Sequence, residues 1–153
     1  MSTAASSSKA ILNMTSRYTK LGIPVLYPEN WEITEEQPEG TPRSLSLQSP
    51  SGAVWILQIY PEGAPHELTQ QALSTMRSEY EAVEAEPILE VLEGREVIGY
   101  EMNFYCLDFL VVAQVVSFLR GNETVVVFIQ AESRDHDQLA PVFRAMLIGL
   151  LRG

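Results

Sequence analysis

Residues 53–60 (AVWILQIY), 110–119 (LVVAQVVSFL) and 124–130 (TVVVFIQ) are apolar at almost every position. A strand with one face in water alternates apolar and polar side chains, because successive residues point to opposite faces. These runs do not alternate, so both faces of the sheet they form must be covered. Two amphipathic helices are available for that. Leu68, Ala72, Met76, Tyr80 and Val83 recur at helical spacing, with Leu73 beside them, and predict a helix over about 66–85. Leu139, Val142, Phe143, Met146, Leu147 and Leu150 predict a second over about 135–151. Pro65 suits the first position of the former, and either Asp135 or Asp137 can cap the latter. Pro141 strains the second helix unless it lies in the opening turns.

Residues 96–106 (EVIGYEMNFYC) alternate cleanly and predict a half-buried strand, with Ile98, Tyr100, Met102, Phe104 and Cys106 on one face and Glu101 and Asn103 on the other. Residues 22–27, 31–34, 44–48 and 88–92 read as shorter strands, and 35–43 as a loop. The expected total is six to eight strands, mostly joined by short turns, which force antiparallel pairing. The expected class is α+β: a three-layer α/β/α sandwich with a central, mostly antiparallel sheet. Residues 1–17, rich in serine, read as a disordered tail, and 18–153 as a single domain.

Composition narrows the function classes. The chain has 153 residues, 46% of them hydrophobic, which fits one globular domain. No apolar run approaches the ~20 residues that span a bilayer. The formal net charge is −10, and both lysines (Lys9 and Lys20) lie near the start. An acidic globule repels phosphate backbones and anionic lipid, so neither nucleic acid nor a membrane is an expected partner. A basic protein partner is compatible with this charge. The single cysteine, Cys106, excludes an intrachain disulfide and reads as a small hydrophobe inside its strand.

Several segments carry a family resemblance. Val25-Leu26-Tyr27-Pro28-Glu29-Asn30-Trp31 resembles the opening of the PsbP/Mog-like superfamily, whose members often read strand, Tyr-Pro, two residues, Trp. Residues 93–101 (EGREVIGYE) look like that family's central glycine and aromatic-rich strand, and the closing helix with Phe143 resembles its C-terminal signature. The resemblance spans about residues 20–151 and implies the three-layer fold. It also implies roles that are mostly non-catalytic. Known members include an extrinsic photosystem subunit, a Ran-binding nuclear factor, bacterial DcrB-like envelope proteins and cytosolic chaperones of secreted effectors. The first and third kinds carry export signals, which residues 1–20 do not resemble, and no motif selects the Ran-binding branch. The cytosolic chaperone or adaptor branch remains.

Candidate chemistry is sparse. His66 and His136 each fall near a helix start, far apart in sequence, and Asp135-His136-Asp137 reads as capping and solvated rather than as a metal or proton relay. No nucleophile elbow, phosphate loop or metalloprotease motif occurs. No enzyme, cofactor or metal is therefore expected. Gln58, Gln114 and Gln130 each interrupt an apolar strand and could line one polar patch with Glu101 or Asn103, a small-ligand pocket on a sheet face. The plainer reading has them bonding each other or local backbone. Ile148 points away from the stripe of the last helix, with Leu151 on the flank, toward cover by the N-terminal segment or by a second subunit in a homodimer. Glu79, Glu81, Glu84, Glu86, Glu90, Glu93, Glu96 and Glu101, opposed only by Arg95, could steer a basic partner. The expected function is a cytoplasmic protein-binding adaptor or chaperone-like domain; the alternative is a small-molecule binding domain.

Overall fold

A computed structural model describes residues 15–37 and 39–153. Strands β1 (Thr15–Tyr18) and β2 (Val25–Pro28) form a two-stranded antiparallel sheet. Strands β3 (Glu32–Gln37), β4 (Arg43–Gln48) and β5 (Val54–Tyr60) lead into helix α1 (Pro65–Glu79). Strands β6 (Glu84–Leu92), β7 (Arg95–Cys106), β8 (Phe109–Arg120) and β9 (Glu123–Glu132) follow, and helix α2 (Ser133–Arg152) closes the chain. The main sheet has seven strands in the order β3-β4-β5-β9-β8-β7-β6, every pair antiparallel. The α+β layering expected from the apolar runs is the layering observed.

The three apolar runs became β5, β8 and β9, the middle of the sheet, where both faces are covered. On one face Trp55, Leu57, Val116, Phe118, Val125 and Val127 pack with Phe143, Met146, Leu147 and Leu150 of α2. Tyr18, Leu21, Ile23 and Val25 of the β1–β2 hairpin complete that core. On the other face Met102, Phe104, Ala113, Val115 and Val126 pack with Leu73 and Met76 of α1. Pleat alternation assigns each residue to a layer: odd positions of β5 and β9 and even positions of β8 face α2.

Several boundaries differ from the sequence reading. Helix α1 ends at Glu79, not near 85, because Tyr80 is already extended and Ala82 takes a positive φ of 52°. The chain is then drawn into β6, whose Glu84 pairs with Asn103 of β7; sheet pairing overrides the helical spacing of Val83. Strand β3 runs to Gln37 through acids read as a loop, because it is an edge strand and its charges stay exposed. Thr15–Arg17 belong to β1, while the rest of the expected tail lies outside the described residues.

Helix α2 begins at Ser133, so neither Asp135 nor Asp137 caps it; Glu132 holds that position without a side-chain bond. Asp135 instead accepts a 2.7 Å hydrogen bond from Ser51 Oγ, which ties the β4–β5 turn to the helix. Pro141 lies beyond the opening turn, exposed, and removes the donor for the Asp137 carbonyl.

Candidate functional site

The glutamines do not converge. Gln114 lies opposite Glu101 and Ile129, on the face covered by α2. Gln58 lies opposite Val126, and Gln130 shares its face, so both point toward the α1 layer. The single patch that the sequence allowed is therefore split across the sheet. Gln114 Nε2 donates to Glu101 Oε1 at 3.0 Å, and Asn103 lies on the same face as Glu101. On the other side Tyr60 Oη donates to Gln58 Oε1 at 3.2 Å, and burial pushes the Tyr60 hydroxyl above its ordinary pKa.

Helix α2 does not close down on the whole of its face. Between it and strands β6 to β9 lies a cavity of about 320 Å³. Its walls are apolar, from Ile88, Val97, Val116, Val127, Phe143 and Leu147, and its polar groups are Glu90, Gln114, His136 and Arg144. Arg144 Nη1 bridges to Glu90 Oε2 at 2.8 Å, linking α2 to β6.

His136 corrects the expectation of a solvated, capping residue. It is 8% exposed, its ring lies 5.8 Å from Phe143, and its Nε2 has no hydrogen-bond partner among the described residues. With the helix starting at Ser133, His136 falls on one stripe with Ala140, Phe143 and Leu147. That spacing was present in the sequence, but the later helix start concealed it. An unpartnered buried nitrogen costs about 1–3 kcal/mol. His66 is exposed at the start of α1.

The flank of α2 that carries Leu151 is covered from within the chain, while Ala145 stays exposed. Leu151 is 3% exposed and belongs to the core, not to a partner surface, and Ile148 is half-buried. The β1–β2 hairpin packs here: a Cβ on Gly149 would touch Leu26, and one on Gly153 would meet Pro24. The intrachain cover considered for this helix is present on that flank.

The acidic stretch is less uniform than its sequence suggests. Glu90 pairs with Arg144, and Glu93 with Arg152 at 3.2 Å, whereas Arg95 donates to the Leu119 carbonyl. Glu84 and Glu86 stay exposed on the α2 side of β6, with Glu101 directly opposite Glu86, and Glu79 is exposed at the end of α1. The other side of β6 holds what sequence reasoning missed. Leu89 and Val91 are 71% and 73% exposed, and Ile98 of β7 lies opposite Leu89. No described strand pairs with the outer edge of β6. The alternation Leu89-Glu90-Val91 was legible, but nothing in it says the strand ends a sheet. The β7–β8 turn exposes a second group: Tyr105, Leu107 and Phe109.

Among the described residues no helix is long and apolar enough to cross a membrane. Neither a protein-family model nor a curated protein sequence matches the chain. Solved structures do. The cyanobacterial PsbP protein CyanoP of Synechocystis sp. PCC 6803 is similar at a TM-score of 0.60 with 14% identity, over 88% of this chain and 89% of that one. PA94 of Pseudomonas aeruginosa, a protein of unknown function, is similar at 0.53 with 11% identity, over 88% and 94%. A Bacteroides thetaiotaomicron protein is similar at 0.52 with 13% identity, over 78% of this chain and 42% of that chain. At these identities the likeness speaks for architecture alone: the chain has the PsbP-like fold.

Proposed function

We propose that this chain is a cytoplasmic, non-catalytic adaptor that binds an extended segment of another protein along the outer edge of β6. The carrying observation is the exposure of Leu89 and Val91 on a strand whose outer edge has no described neighbour. A strand added there completes backbone hydrogen bonds, and its alternate side chains read the two faces of β6. One face offers Leu89 and Val91; the other offers Glu84, Glu86 and Glu90. The complementary segment alternates basic and apolar residues. A second copy of β6 is a poor partner, because pairing would set two rows of glutamates side by side.

The test is fluorescence anisotropy with two labelled seven-residue peptides, one alternating lysine and valine, the other glutamate and valine. The basic peptide is expected to bind the full chain, more weakly as salt rises. Leu89→Glu with Val91→Glu is expected to weaken it by at least tenfold, since each side chain contributes on the order of 1 kcal/mol when buried. Equal binding of both peptides, or no effect of the double substitution, overturns the reading.

A further inference from the structure

The acidic row on the α2 side of β6 is not all free. Arg144 of α2 holds Glu90 at 2.8 Å, and Arg152 holds Glu93, just past the end of the strand, at 3.2 Å. The geometry of the two elements matches these pairs. Eight residues of helix rise about 12 Å and bring Arg152 round to the side of Arg144, and the three residues from Glu90 to Glu93 span about 10 Å when extended. Glu84 and Glu86, by contrast, are exposed and have no ion pair among the described residues. Beside the ion pair, β6 meets the α2 core through Ile88 and Leu92.

We propose, resting on the reading of β6 as a docking edge, that Arg144 and Arg152 are built-in competitors of the basic segment. The contact is autoinhibitory: the chain's own arginines hold the acids that a partner's cations would otherwise take. On an added strand, the residue opposite Glu90 stands about 5 Å from it. A lysine there meets a carboxylate whose charge is already answered, with a guanidinium of its own sign alongside. The competition can be won, because the Arg144 and Glu90 side chains are 49% and 39% exposed and exposed pairs are held loosely. Glu84 and Glu86 take the first basic residues of the segment, and release of Glu90 from Arg144 sets how tightly the rest is held.

The experiment is fluorescence anisotropy of the full chain with the labelled lysine–valine peptide at low salt, on the parent, Arg144→Gln and Arg152→Gln. Arg77→Gln, at an exposed arginine of α1 with no ion pair among the described residues, is the charge-matched control. Arg144→Gln is expected to tighten the peptide about threefold beyond the control. Arg152→Gln is expected to do less, because Glu93 lies past the strand end. Arg144→Lys, which keeps the charge, is expected to behave as the parent. In a Glu90→Gln background, Arg144→Gln is expected to add nothing beyond the control. Binding by Arg144→Gln where the parent fails to bind supports the proposal in its strongest form. A gain no larger than that of Arg77→Gln, or the same gain with and without Glu90, overturns it. If the parent binds and Arg144→Gln binds no tighter, the autoinhibitory contact falls and the docking edge stands; if no variant binds, both fall. Circular dichroism melts establish that each variant is folded.

Discussion

Glu101 on β7 and Gln114 on β8 are register partners, and the Gln114 amide donates to the Glu101 carboxylate at 3.0 Å. Glu101 has a second register partner, Glu86 on β6, which carries the same charge. One carboxylate is thus drawn by an amide and repelled by an acid. Glu101→Gln keeps an acceptor for Gln114 and removes the like-charge pair, so its stability is expected to equal or exceed that of the parent. Glu101→Ala loses the acceptor as well and is expected to fall about 1 kcal/mol below Glu101→Gln. Urea midpoints of the two variants check this; a Glu101→Gln midpoint well below the parent would show that the charged bond outweighs the repulsion.

Gly99 is required for space. A Cβ there would overlap the Val115 carbonyl oxygen, a backbone atom of the neighbouring strand that has nowhere to go. Gly99→Ala is expected to destabilise by about 3 kcal/mol or more. Gly94, in the β6–β7 turn, has a positive φ of 73° but open space around it. Gly94→Ala is expected to cost only about 1–2 kcal/mol, the strain of the left-handed conformation. Thermal melts of the pair separate the two mechanisms, and equal losses would remove the distinction.

Phe143 joins the core to the cavity. Its ring lies 5.9 Å from Trp31, edge-on, and 5.8 Å from His136. Phe143→Ala is expected to cost about 3–5 kcal/mol and to alter Trp31 fluorescence in the folded state. Trp55, fully buried elsewhere in the same core, is the spectral background, removed by repeating the measurement in Trp55→Phe.

Two tyrosines make the fold sensitive to alkali. Burial raises the Tyr18 hydroxyl above its ordinary pKa of 10.0, helped by the Glu35 carboxylate and opposed by Lys20. Burial alone raises Tyr60. For a raised folded-state value, the stabilisation is complete below the unfolded pKa of about 10 and is lost as pH rises through the folded one. Urea midpoints measured from pH 8 to 11 are expected to fall from about pH 10 upward. Tyr60→Phe is expected to flatten that decline; an unchanged slope would assign it elsewhere.

How much could be read in advance depended on whether the signal was local. Residues 53–60, 110–119 and 124–130 announced strands with two covered faces, because the absence of alternation is a property of each run by itself. The turn residues 120–123 likewise announced the β8–β9 hairpin. The fate of the glutamines was not local. Each sits at an identifiable pleat position, but which face that position serves depends on the β5–β9 register, set between segments far apart in sequence. The same reason hid the open edge at β6, since a strand's place in a sheet is decided by its neighbours. His136 needed only a helix start moved to Ser133, a matter of boundaries, which caps define poorly when no side chain fills them.

The β5–β9 ladder has a consequence for how the chain finds its fold. Val54 pairs with Gln130 and Tyr60 with Thr124, while everything from α1 through β8 is threaded between them. The β6–β7, β7–β8 and β8–β9 pairs close over short turns and can form early, whereas the central seam must wait for a long loop to close. Until it does, β9 presents one of the most apolar strands in the molecule as a bare edge. The same intermediate would be the species most open to aggregation, and the glutamates of β6 and β7 would then act as its solubilising charge.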